Sequence, residues 1–98
     1  MLTIWKYPIR DVDIASAIFE LDMPKGAKVL TVQMQGNSPV MWALVNPETK
    51  KVKRMFLVKG TGHPIEDRAT CLAISQPDTY IGTFQLAGGA LIFHVFNI

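Results

Sequence analysis

The stretch YIGTFQLAGGALIFHVFN, residues 80–97, decides the fold. Two runs of alternating side chains flank Ala-Gly-Gly-Ala. Glycine accepts the positive φ that a tight primed hairpin turn demands, so Gly88-Gly89 reads as the loop. That spacing pairs Ala87 with Ala90, Leu86 with Leu91, Phe84 with Phe93 and Thr83 with His94. One face then carries Phe84, Leu86, Leu91, Phe93 and Val95. The other carries Ile81, Thr83, Gln85, Ile92, His94 and Phe96. Both faces are rich in apolar groups, while a chain of 98 residues builds one main core. The second face must be covered by another part of the chain or by another subunit. Ile81, Ile92, His94 and Phe96 are therefore the interface candidates. For His94, two readings stand side by side: a core histidine satisfied by a hydroxyl, or a residue at a subunit contact.

Working outward, the same period of two recurs. Val29–Gln35 (VLTVQMQ) places Leu30, Val32 and Met34 on one face and Thr31, Gln33 and Gln35 on the other, as in a half-buried strand. Residues 36–39 (GNSP) read as a turn. Val40–Asn46 (VMWALVN) is apolar on both faces, as in a central strand, with Trp42 in the core. NPETKK, residues 46–51, reads as a turn, and Val52–Lys59 as a strand. Its neighbourhood carries Lys50, Lys51, Lys53, Arg54 and Lys59, which reads as a solvated edge strand guarded by lysines.

The N-terminal part is ambiguous. Leu2–Ile9 looks like a strand with Trp5 and Tyr7 on one face, a possible aromatic platform. Ile14, Ala17, Ile18 and Leu21 have helical spacing, with Asp13 as a possible N-cap. Phe19, Leu21 and Met23 instead alternate, and a strand from about Ala17 to Asp22 is the favoured reading before the PKGA turn. Residues 60–79 form one long connection, with a short element at Thr70–Ile74. The whole predicts an all-β fold: residues 1–98 as a single domain, a small antiparallel β-sandwich or barrel of roughly six or seven strands.

Composition narrows the function. A net charge of +2 argues against nucleic acid as partner. One cysteine, Cys71, forms no intramolecular disulfide, and no stretch approaches the ~18 apolar residues of a membrane span. Both features fit a protein of a reducing cytosol. In KGTGHPIEDR, residues 59–68, two glycines flank Thr61 and are followed by His63, Pro64, two carboxylates and Arg68. Pro64 lacks an N–H and disfavours helix at His63, so the loop does not match a phosphate-cradling motif. It reads as a turn, with a ligand- or partner-binding role for Gly60, Thr61, Gly62, His63 and Arg68. No metal site is expected, because the spaced histidines and cysteines of one are absent. No cofactor is implied. Cys71 in T-C-L-A-I reads as packing. The carboxylate pairs Asp11/Asp13, Glu20/Asp22 and Glu66/Asp67 read as solvated faces rather than acid–base pairs.

The blocks IWKYPI, MPKGAKVLTVQMQ, MWALVNP, GTGHPI, YIGTFQL and GGALIFHVF, in that order across nearly the whole chain, resemble a family of small uncharacterised bacteriophage and prophage proteins. The resemblance implies a phage-encoded protein acting in the host bacterial cytoplasm and carries over no catalytic residue. Glu66–Asp78 is longer than that family's usual link between GTGHPI and YIGTFQL. The expected function is a non-enzymatic accessory protein: a β binding module acting on a host protein or small signalling molecule, as a homo-oligomer. The alternatives are a virion structural or decoration subunit, and a small hydrolase with His63 as base and Glu66 or Asp67 orienting it.

Overall fold

A computed structural model describes residues 1–98. In chain order the elements are β1 (Thr3–Pro8), α1 (Asp11–Ser16), β2 (Ile18–Pro24), β3 (Lys28–Gln35), β4 (Ser38–Val45), β5 (Lys51–Gly60), α2 (Arg68–Ile74), β6 (Tyr80–Leu86) and β7 (Leu91–Asn97). They form two antiparallel sheets, β1-β4-β3 and β2-β5-β7-β6. The inner faces enclose Met23, Val32, Met41, Val45, Phe56, Val58 and Val95. Phe19 stacks on Phe56 with ring centroids 5.5 Å apart, and Phe84 on Phe93 at 5.4 Å. The expected all-β sandwich is therefore the fold observed.

The C-terminal hairpin keeps the expected register, with Leu86 opposite Leu91, Phe84 opposite Phe93 and Thr83 opposite His94. Its tip differs. Gly88 and Gly89 have φ of 64° and 93°, as a primed turn requires, but Ala87 also has φ of 52°. Ala87 and Ala90 leave the ladder and close a single 3₁₀ turn through Ala90 N–H to Ala87 O, 3.1 Å. A larger change lies at the hairpin's start. A bulge between Tyr80 and Gly82 sets Tyr80 opposite Phe96 and frees Ile81 from the pairing. Ile81 turns to pack against the core, not beside Ile92, His94 and Phe96.

The same device appears in β3. A register shift between Val29 and Thr31 lets Val29 take the inward place expected of Leu30, which is exposed. The turn after β3 is shorter than GNSP: Gln35 pairs with Ser38, leaving Gly36 (φ 61°) and Asn37 as a two-residue loop.

Other sequence expectations are corrected by topology. β5 is a central strand, hydrogen-bonded to β2 and β7, not an edge. Its Lys53 is balanced across the strand boundary by Asp22 (3.6 Å) and Glu20 (3.8 Å). Trp5 and Tyr7 point to the core side of β1 and are half-buried there, not displayed as a platform. The Tyr7 hydroxyl is buried without a hydrogen-bond partner, and burial pushes its pKa up. Trp42 alternates with the fully buried Met41 and Ala43, so it lies half-buried on the opposite face of β4. Residues 11–24 are helix and then strand, because the helical and alternating patterns follow one another. Asp13 is not the N-cap. It sits at the third position of α1 and accepts from the Arg10 backbone N–H at 2.9 Å.

Nor is Asp13 solvated; it is 3% exposed. Arg10 also grips it through Nε (3.2 Å) and Nη2 (3.0 Å). Burial alone would raise this carboxyl's pKa. The hydrogen bonds from Arg10 and its positive charge outweigh burial and hold it below the ordinary value. Because the folded pKa is the lower one, this pair contributes stability at neutral pH. That contribution fades as pH falls below the ordinary carboxyl value of 3.8 towards the lowered one.

The two sheets close on each other along one side. There β3 and β6 meet without sharing a ladder, and a Cβ at Gly82 would lie 2.9 Å from Val32 Cγ1 and 3.8 Å from Val32 N. Only a residue without a side chain fits this contact. Gly82→Ala is expected to lower stability by about 1–3 kcal/mol, since buried Val32 has little room to shift; urea unfolding measures it, and an unchanged midpoint contradicts the contact. Asp13→Asn is expected to cost about 1–2 kcal/mol at pH 7 and to flatten the acid limb of a Tm-versus-pH curve. A variant with the wild-type acid limb would show that the Arg10 pair carries no linked stability.

Candidate functional site

β5 and β6 run parallel, with β7 inserted antiparallel between them. Parallel strands cannot be joined by a hairpin and need a long crossover. Residues 61–79 supply it, and they pass over the outer face of the four-stranded sheet. Leu57 lies on that face, between Ile18 and Phe96 in the register. It is nevertheless 2% exposed. The chain's own crossover thus covers part of the second apolar face.

The crossover begins with the GTGH turn. His63 N–H donates to Gly60 O at 3.1 Å, and Gly62 has φ of 82°. This is type II turn geometry, which places glycine third. The His63 ring lies on Gly60: a Cβ there would sit 2.8 Å from its Nδ1 and Cε1. Thr61 N–H donates to Ile92 O at 3.0 Å. Gly60, Thr61 and His63 share a small cleft of about 220 Å³ with Leu91 and Ile92 of β7. The loop residues and two of the interface candidates, Ile92 here and His94 through Thr61, therefore do come together. Arg68 does not join them, being the exposed first residue of α2.

His94 is the hub. Its Nε2 is 2.6 Å from Thr61 Oγ1. Its Nδ1 is 3.0 Å from the Tyr80 hydroxyl and 3.1 Å from Thr83 Oγ1. Tyr80 and Thr83 are hydrogen-bonded to each other as well. A neutral imidazole has one donor and one acceptor nitrogen, and hydroxyls can serve either. The cluster therefore satisfies both ring nitrogens in either tautomer. It ties the turn to β6 and β7. The hydroxyl partners expected for a core His94 are present, but the residue is half-buried on the outer face of the sheet and not in the core. Phe96 packs edge-on to Tyr80, centroids 5.2 Å apart.

Sequence reasoning found Thr83 for this cluster and missed Tyr80. Regular alternation puts Ile81 on His94's face, and only the bulge exchanges it for Tyr80. The available signal was Gly82, since glycine inside a strand often marks a bulge or a close approach.

Sequence reasoning also missed a second cleft, of about 350 Å³, between the crossover and the sheet. Ile18 and Leu57 form its floor, and Pro64 and Ile65 a wall. Lys59, Glu66 and Asp67 also line it. Asp67 N-caps α2, accepting from Thr70 N and Thr70 Oγ1, each at 2.7 Å. Those two bonds hold its carboxyl below the ordinary pKa. The Cys71 thiol donates to Ile65 O at 3.1 Å. No three of the His, Cys, Asp and Glu side chains gather as metal ligands would. No helix is long and apolar enough to cross a membrane.

Thr61→Val removes the bond to His94 while keeping the shape of the side chain. It is expected to cost about 1 kcal/mol and to raise amide hydrogen exchange through residues 61–79. Unchanged exchange would show that the crossover is held without this bond.

No curated protein and no solved structure shows a significant match to the chain. A family model does match, over residues 1–98. The chain belongs to the family described as domain of unknown function DUF7352.

Proposed function

We propose that this chain is a phage-encoded accessory protein of the host bacterial cytoplasm. It works by binding a host protein or a small signalling molecule, and it performs no catalysis. The cleft under the crossover carries this reading. Ligand sites are concave and mostly apolar, with a few placed polar groups. Here Ile18, Pro64 and Ile65 offer apolar surface above buried Leu57, and Ser16, Thr70, Lys59, Glu66 and Asp67 supply a polar part of similar extent, with charges of both signs. The phage assignment rests on the sequence blocks from IWKYPI to GGALIFHVF.

The hydrolase alternative draws less support. His63 lies against Gly60; of the two carboxylates expected to orient it, Asp67 is committed to Thr70 and Glu66 lines the crossover cleft, which His63 does not. Self-association belongs to the same proposal. Leu91 and Ile92 at the hairpin end are exposed, and burying them would favour contact between copies by roughly 25 cal/mol per Å² before association costs.

Native mass spectrometry of the protein recovered from phage-infected cells tests the binding role. Wild type should carry a bound molecule or host protein. Ile18→Glu, an exposed edge-strand change at the cleft floor, should reduce that species at least about tenfold. A bare chain in both cases defeats the proposal. Sedimentation tests the oligomer separately, and a strict monomer at tens of micromolar removes that part.

A further inference from the structure

A third cleft, of about 550 Å³, opens at the end of the sandwich where β3 begins and β7 ends. Arg54, Asn97, Lys28, Asp78 and Tyr80 line it. It lies apart from the crossover cleft and shares no residue with it. Arg54 is out of place by pattern. It shares the inward face of β5 with Val52, Phe56 and Val58, so its stem enters the sandwich and its head comes out at the mouth. One guanidinium nitrogen, Nη1, donates to Ala27 O at 2.8 Å. The other donors are not used within the chain, and no carboxylate pairs with Arg54; the chain's ion pairs belong to Arg10 and Lys53. Asn97 follows buried Val95 by two on the inward face of β7, which brings its amide to the same mouth.

A half-buried guanidinium without a counter-charge, beside an amide and an ammonium, is the donor set that binds an oxyanion. We propose that this mouth is a binding site for a small oxyanion, a carboxylate or a phosphate, held by the free edge of Arg54 and the Asn97 amide. Lys28 adds positive charge at the rim. Asp78 also lines the cleft, so the net charge of the lining is +1, from Arg54 and Lys28 against Asp78. That balance disfavours polyanions and favours an oxyanion of low charge, or a zwitterion whose cationic end meets Asp78. The proposal is independent of the crossover cleft and stands or falls without it.

NMR titration of the whole chain with sodium phosphate, and separately with sodium acetate, at constant ionic strength tests it. Arg54 Nε–H and the Asn97 side-chain amide should shift saturably with at least one of the two anions, and the anion that acts identifies the ligand class. Exposed Arg68 is the internal control and should not follow them. Arg54 stays intact, since its Nη1 also holds Ala27 O. Lys28→Ala should weaken binding about three- to tenfold, and Asp78→Asn should tighten it by a similar factor. Asparagine accepts the positive φ of 63° at position 78, so that variant keeps the backbone. No saturable shift with either anion, equal shifts at Arg68, or an Asp78→Asn variant that binds no tighter would each overturn the proposal.

Discussion

The placement of β7 between β5 and β6 governs everything built on the outer face of the larger sheet. Two parallel strands with a third between them cannot be linked by a short loop. The chain must leave β5, pass over β7 and enter β6 from the far end. That passage lays an irregular segment across apolar groups that would otherwise face water. Leu57 is buried by it, and His94 finds a hydroxyl from it. The crossover cleft exists because an irregular segment with one short helix does not pack flush against a sheet. Fold and candidate site follow from one topological choice.

The two bulges act at shorter range. In an antiparallel ladder, one extra residue reverses the facing of the side chains on one side of it relative to those on the other. At Ile81 this sends an isoleucine into the core and brings a tyrosine beside His94. The polar cluster thus depends on an irregularity in β6. The same irregularity lies next to Gly82, where β6 comes closest to β3. Bending an edge strand towards the other sheet also protects that edge from pairing with foreign chains. Closure of the sandwich and assembly of the cluster share one cause.

Much of this architecture was legible in the residues. Alternation gave the strands, and Gly88-Gly89 gave the hairpin and its register, including the pairing of Thr83 with His94. Local chemistry decides those features. The misreadings share a different origin. Leu30 and Ile81 were assigned by unbroken alternation, which cannot register a bulge made by contact with a distant strand. The lysines of β5 suggested an edge because strand order is set by pairings far apart in sequence. Asp13 looked solvated because its burial depends on how α1 packs against β2 and β5. Of the candidate site, the GTGH turn was visible in its glycines. The crossover cleft was not, since Ile18, Leu57 and Pro64 lie on three segments that only the fold brings together.

The crossover also differs in how it is held. No residue from 61 to 79 is fully buried, whereas β5 beneath it contains Phe56, Leu57 and Val58 at 0–2% exposure. Polar anchors hold its two ends to the sheet instead, Thr61 to His94 and Ile92 O at one end and Asn97 N–H to Thr79 O at the other, while Asp67–Thr70 and Cys71–Ile65 bonds brace it internally. Each such bond contributes on the order of 1 kcal/mol, far less than the buried strands contribute together. Segments of this kind open at lower free energy than the core. A wall that can shift without disturbing the sandwich can adjust to what enters the cleft. The rigid part of the protein is therefore its inner core, and the adaptable part lies over the surface proposed to bind.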